Sequence, residues 1–247
     1  MASKDNNIAS FIKKIENIKG DNIDVYIPSR KQTQSFQSLN LKQQKDIISS
    51  VADGVAGVVG FSRILNNIVS ECGDDKEFKV YDRVPAAVAL RIDALGSEYK
   101  RDEDVIDLND VLKKFKEHEH TLPDEKTVKY KGIEVAVKVP TLLEENTIIK
   151  KLEDEVKRNG EQNNTKNLGS IYIYELVKYI KEVRYKEETI EYTPLKIGDK
   201  IQLIESLPLA LNKLIIRYIE EFRKEEQEIL TIDDVTVEID PSFFDAE

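Results

Sequence analysis

The stretch IDVYIPSRKQTQSFQSLNLKQQKDIISS, Ile23 to Ser50, changes hydrophobic period partway along, and that change decides the fold class. Ile23, Val25 and Ile27 alternate with polar residues, which is the two-residue period of a half-buried strand. Pro28 ends the run because it has no amide to give to a ladder. Ser29 to Lys31 make the turn, and Thr33, Ser35 and Phe36 lead a returning strand, so the segment reads as a β-hairpin. Asn40 then stands where a helix N-cap belongs, its side-chain oxygen placed to accept from a first-turn amide. The helix opening at Leu41 carries Ile47, Ile48 and Val51. A hairpin that runs straight into a helix predicts an α+β protein, predominantly helical with short antiparallel β-hairpins.

Reading outward from this stretch extends the pattern. Upstream, Ile8, Phe11, Ile12, Ile15 and Ile18 recur at helical spacing, with Gly20 as a C-terminal stop. Downstream, Gly54, Gly57 and Gly60 predict a bend between two helices, the second running Phe61 to Glu71. Asp82 is the expected cap of a helix with Pro85 in its first turn, Val84, Val88, Ile92 and Leu95 along its buried stripe and Gly96 at its end. The acidic run Asp102 to Asp110 reads as a surface loop leading into a helix, and Lys116 to Lys126 as a linker.

Thr127 to Val139 alternates as two strands turning at Lys131-Gly132, and Thr141 with Glu144 forms a capping-box pattern. The polar residues from Lys157 to Ser170 predict a loop, and Ile173, Leu176, Val177 and Ile180 a following helix. Leu211, Leu214, Ile215, Tyr218, Ile219 and Phe222 form the one-sided stripe of a long helix. Val235, Val237 and Ile239 alternate as a last strand. Two lobes are expected, residues 1–122 and 123–247, each combining helices with a hairpin.

Composition sets the outer bounds. Forty per cent hydrophobic and 34% charged residues describe an ordinary globular chain. A net charge of −10 argues against a nucleic-acid groove as the main surface, since phosphate binding relies on clustered Lys and Arg. Cys72 is the single cysteine, which excludes an internal disulfide and a cysteine-based zinc site. No apolar run approaches the ~18 residues of a membrane span. The opening MASKDNNIAS has no apolar core of a secretory signal, so folding where the chain is made is expected.

Candidate chemistry is sparse. The glycines of residues 54–60 are not followed by the Gly-Lys-Ser/Thr of a phosphate loop. His118 and His120 flank Glu119 and invite a metal, yet no third histidine exists to complete a ligand cluster or a catalytic pair. Tyr179 and Tyr185 interleave with Lys181 and Arg184, the one basic–aromatic stretch; at helical spacing these rings border a core more readily than they stack on bases. No catalytic residue, metal site or cofactor is assigned. A metal-dependent enzyme or a nucleic-acid-binding factor using these two segments is the alternative function.

Three further stretches join the first: YDRVPAAVALRIDALGSEY (Tyr81 to Tyr99), KGIEVAVKVPTLLEE (Lys131 to Glu145) and VEIDPSFF (Val237 to Phe244). In their order and spacing the four resemble the baseplate-protein family of T-even-type contractile-tailed bacteriophages, which includes baseplate hub assembly proteins. Lys157 to Leu209 does not take part. The resemblance implies a noncatalytic structural subunit or assembly factor of the tail baseplate hub, assembled in the host cytoplasm and located in the virion. Its partners would be other tail and baseplate proteins, with the assembly setting the oligomeric state.

Exposed strand edges and aromatic anchors are the means such a protein uses. Partner binding is therefore expected at the hairpin strands around Tyr26 and Phe36, at the terminal strand with Val235 and Val237, and at Phe243 and Phe244. The competing expectation for Phe243 and Phe244 is that both fold back onto the chain's own core.

Overall fold

The computed structural model describes residues 22–50, 54–101, 103–118, 122–160, 163–192 and 195–245, with the backbone alone at 54–56, 58 and 164. The helix expected over residues 8–18 lies outside these residues. Among the described residues the fold is α+β, with eight α-helices, short antiparallel strand pairs and one four-stranded sheet.

The opening hairpin forms as its alternation requires. Strands β1 (Asn22–Ile27) and β2 (Gln32–Gln37) pair with Ile23 opposite Phe36, and Val25, Ile27 and Phe36 are buried. Asn40 accepts from the Gln43 amide while Gln43 Oε1 accepts from the Asn40 amide, a reciprocal cap on helix α1 (Leu41–Ser49).

The glycine-rich segment is a correction. It is no bend: Gly57 and Gly60 lie inside helix α2 (Gly54–Cys72). At Gly60 a Cβ would stand 3.0 Å from Glu153 Oε1, so glycine there lets a second helix come close.

Helix α3 (Arg83–Leu95) is central, with Ala86, Ala87, Val88 and Leu90 fully buried and Gly96 at φ 90° stopping it. Asp82 does not cap it, a second correction. Its carboxylate reaches backward, accepting from the Ser29 amide at 2.9 Å, the Ser29 hydroxyl at 2.6 Å and the Lys79 amide at 2.7 Å. Burial pushes this carboxyl above its ordinary value, and the three bonds act against that push. Asp82 thus fastens the β1–β2 turn to the start of α3.

The acidic run is also more ordered than expected. Strand β3 (Glu98–Arg101) pairs with β4 (Asp104–Asp107), and Asp107 caps helix α4 (Leu108–Glu117) through the Asn109 amide.

In the second half, β5 (Glu125–Tyr130) and β6 (Ile133–Lys138) turn at Lys131-Gly132, both at positive φ, as a two-residue hairpin of this twist demands. Thr141 and Glu144 make the expected capping box on α5 (Leu142–Asn159). The segment expected as a loop over 157–170 is largely helical. Helix α5 runs to Asn159, α6 (Asn164–Tyr179) follows, and Asn167 is buried between them, donating to the Gly160 carbonyl.

Of the basic–aromatic stretch only Tyr179 is helical, at the end of α6; Lys181, Arg184 and Tyr185 lie on β7 (Ile180–Tyr185), which with β8 (Glu188–Glu191) completes a sheet of order β5-β6-β7-β8. Helices α7 (Ile197–Ser206) and α8 (Leu209–Leu230) follow, the second burying Leu211, Ile215, Tyr218, Ile219 and Phe222. The terminal strand is shorter than predicted. Strand β10 (Val235–Thr236) pairs with β9 (Thr231–Ile232), and the chain closes in a 3-10 turn, Pro241–Phe244.

There are two hydrophobic cores, and they do not divide at one point of the chain. The first gathers β1, β2 and α1 to α4, and takes in Leu142, Ile229, Leu230, Val237, Phe243 and Phe244 from the far end. The second lies between the four-stranded sheet and α5 to α8, with Tyr81 reaching into it. Backbone links join them, Val80 N–H donating to Pro140 O at 3.1 Å and Leu142 N–H to Phe78 O at 2.8 Å.

Replacing Asp82 by Ala leaves half-buried donors of Ser29 and Lys79 without their acceptor, a loss of about 2 kcal/mol. Urea unfolding checks this, and Ser29→Ala is expected to cost less because its amide keeps the carboxylate.

Candidate functional site

Where the two cores meet, five helices send charged side chains to one seam. Asn66 comes from α2, Arg83 from α3, Glu145 from α5, Glu175 and Lys178 from α6, and Arg223 and Glu226 from α8. Arg83, Glu145, Glu175, Lys178, Arg223 and Glu226 line a cleft of about 230 Å³ together with Ser62, Tyr81, Tyr179 and Phe222.

The centre of the seam is Glu145, only 5% exposed. Arg83 Nη1 donates to its Oε2 at 2.7 Å and Asn66 Nδ2 to the same oxygen at 2.8 Å, while Lys178 Nζ donates to Oε1 at 3.0 Å. Lys178 also pairs with Glu175, which accepts from Arg223 Nη2 at 2.6 Å. Burial alone would raise the Glu145 carboxyl, but the attraction of Arg83 and Lys178 and the bonds it accepts outweigh that and hold it at about 2. At neutral pH Glu145 is therefore an ionised carboxylate held between two cations.

Glu226 is the exception. It lines the cleft without a hydrogen bond or ion pair to a described residue, and burial raises its carboxyl above the ordinary value. A carboxyl raised in this direction is the kind of group a general acid uses. Burial pushes the Tyr81 and Tyr179 hydroxyls up, so both stay protonated, and Tyr81 donates to Asp124 Oδ1 at 3.0 Å. The Cys72 thiol is buried and pushed up to about 11, away from any nucleophilic role.

The histidine segment is likewise tied into the fold. His118 Nε2 lies 3.1 Å from Glu225 Oε1 on α8, while His120 lies outside the described residues. Among the described residues, no group of three or more His, Cys, Asp or Glu could hold a metal ion.

The residues expected to bind partners separate into two sets. Phe36, Val237, Phe243 and Phe244 have their side chains in the first core. Phe243 packs 5.5 Å from Tyr99 and 5.3 Å from Phe244, with the Arg91 guanidinium 5.7 Å above its ring. Phe243 and Phe244 fold back onto the chain's own core. Tyr26 and Val235 are partly exposed.

The most open apolar residues of the sheet lie elsewhere, at its far edge. Tyr185 is 47% exposed and Ile190 is 42% exposed. The signal for them is the alternation of Val183, Tyr185, Ile190 and Tyr192 around Lys186-Glu187, which reads as a hairpin once strand period replaces helix period.

No protein-family model matches this chain, and neither a curated protein nor a solved structure matches it.

Substituting Glu145 by Gln leaves Arg83 and Lys178 facing a neutral group, which costs about 3–5 kcal/mol in urea unfolding at neutral pH. Because the folded carboxyl sits below its ordinary 4.5, its contribution is present above that value and fades as pH falls toward about 2. Glu226→Gln has the opposite sign. Its carboxyl is raised, so ionisation on the alkaline side of its ordinary 4.5 opposes folding. The variant's urea midpoint is expected to exceed the parent's at pH 7, with no gain at pH 4.

Proposed function

We propose that this chain is a noncatalytic component of a contractile phage tail, a structural subunit or an assembly factor of the baseplate hub that works through protein–protein interfaces. The observation that carries the reading is where the four resembling stretches lie. They are dispersed from Ile23 to Phe244, yet they touch one another in sequence-distant pairs. Ser29 of the first is bonded to Asp82 of the second. Val80, one residue before the second stretch, donates to Pro140 of the third. Arg91 and Tyr99 of the second pack on Phe243 of the fourth. The stretches that carry the resemblance are therefore the joints of the scaffold, which is where a structural family retains its pattern.

Such a protein offers preformed surfaces instead of a reactive centre, and the charged seam supports this by fixing the two cores relative to each other. A rigid body loses little conformational entropy on docking. Either version of the role uses this property, a subunit by staying and an assembly factor by leaving once the hub is built.

Mass spectrometry of purified phage particles and of tail-assembly intermediates from the same lysate tests the proposal. A fixed ratio to other tail proteins in mature particles is the result expected of a subunit, and presence in intermediates alone that of an assembly factor. Absence from both overturns it.

A further inference from the structure

The four-stranded sheet has two edges of different character. Strand β5 lies beside α8, where Lys126 Nζ sits 3.6 Å from Glu221 Oε2 and 5.9 Å from the centre of the Tyr218 ring. Strand β8, Glu-Thr-Ile-Glu, pairs among the described residues with β7 alone, and all four of its residues are exposed.

Its backbone is set for a further strand. The Tyr192 amide donates to the Lys181 carbonyl at 2.9 Å, in register with the β7–β8 ladder. Backbone groups of an antiparallel strand point alternately inward and outward. Glu188 and Ile190 therefore share the inward phase of Tyr192, and the N–H and C=O groups of Thr189 and Glu191 point away from β7.

The side chains say what fits there. Val128, Val135, Val183 and Ile190 form one cross-strand row, exposed to 6%, 0%, 6% and 42% in that order. The row is dry until its last member, so an apolar residue on an added strand would close it. Glu188 flanks Ile190 on the same face, and Glu191 lies on the other. Neither carboxylate has an ion pair with a described residue. Residues 186–191 carry three carboxylates against the one amine of Lys186. A second copy would bring the same excess of negative charge, so self-pairing is opposed.

We infer that β8 is a docking edge for an extended, basic segment of another protein, which adds antiparallel to it as a fifth strand. Opposite Glu191, Ile190, Thr189 and Glu188 the segment reads basic, apolar, any residue, basic. The backbone supplies affinity, and the two carboxylates select against acidic or self-derived strands. This deepens the reading of the chain as an assembly protein and rests on it, by naming the surface and the chemistry of one partner.

The test uses the full chain and a fluorescein-labelled peptide, Gly-Thr-Arg-Val-Thr-Arg-Thr-Gly, followed by fluorescence anisotropy. Saturable binding with a Kd below ~1 mM, the weak end of specific recognition, is expected. The same peptide with Glu in place of Arg is expected to bind at least tenfold more weakly. Thr189→Pro removes an outward amide and leaves the bonds to β7 in place; it is expected to weaken binding at least tenfold with an unchanged circular dichroism spectrum. The double variant E188Q/E191Q keeps every backbone amide and is expected to weaken binding to a similar degree.

Undiminished binding to both variants overturns the inference, as does equal binding of the Glu peptide or no saturation below ~1 mM. A dimer in sedimentation that Thr189→Pro dissociates would give the edge to a second copy instead, and would equally overturn it. The presence of the chain in tail particles is measured separately, so a failed peptide test removes this edge and leaves the tail assignment standing.

Discussion

A single carboxylate, that of Glu145, is held by donors from three other helices. Arg83 of α3, Asn66 of α2 and Lys178 of α6 all reach it, while Glu145 itself lies in the first turn of α5. Removing a charge from water at this depth is costly, and the cost is offset only when every partner is in place. Each helix must therefore arrive at its own position before the seam is stable. That requirement couples the two hydrophobic cores, against both of which Val80 also packs. Glu153, paired with Arg63 at 2.8 Å beside Gly60, extends the coupling along the line where α2 and α5 approach closely.

The return of the chain's end to its beginning adds a second closure. After α8 the backbone crosses from the second core to the first, where Val237 N–H donates to Leu230 O at 3.0 Å and Arg101 donates to the Thr236 carbonyl at 2.6 Å. Phe243 and Phe244 then complete the packing beneath Arg91 and Tyr99. Contacts between residues so distant in sequence bring a large loop-closure cost, so the N-terminal core is complete only after the last residues have docked.

Phe36, Phe78, Phe115, Phe243 and Phe244 are buried, while Tyr185 and Ile190 stay exposed at the β7–β8 end of the sheet. The carboxylates of Glu188 and Glu191 beside Ile190 are what the proposed fifth strand would have to complement.

Local chemistry was legible in the residues themselves. The alternation of Ile23, Val25 and Ile27, the Lys131-Gly132 turn, the caps at Asn40 and Thr141 and the stripe of Leu211 to Phe222 each depend on neighbours within a few positions. Such signals survive without knowledge of the fold. What tertiary structure decided was every question answered by a distant partner. Gly60 sits in a helix where the Glu153 side chain of α5 comes close, Asp82 turns away from its own helix because Ser29 is within reach, and helix α6 carries a buried Asn167. Phe243 and Phe244 could have served an interface or a core with the same local sequence, and only the packing offered by α1, α3 and Tyr99 of β3 determined which.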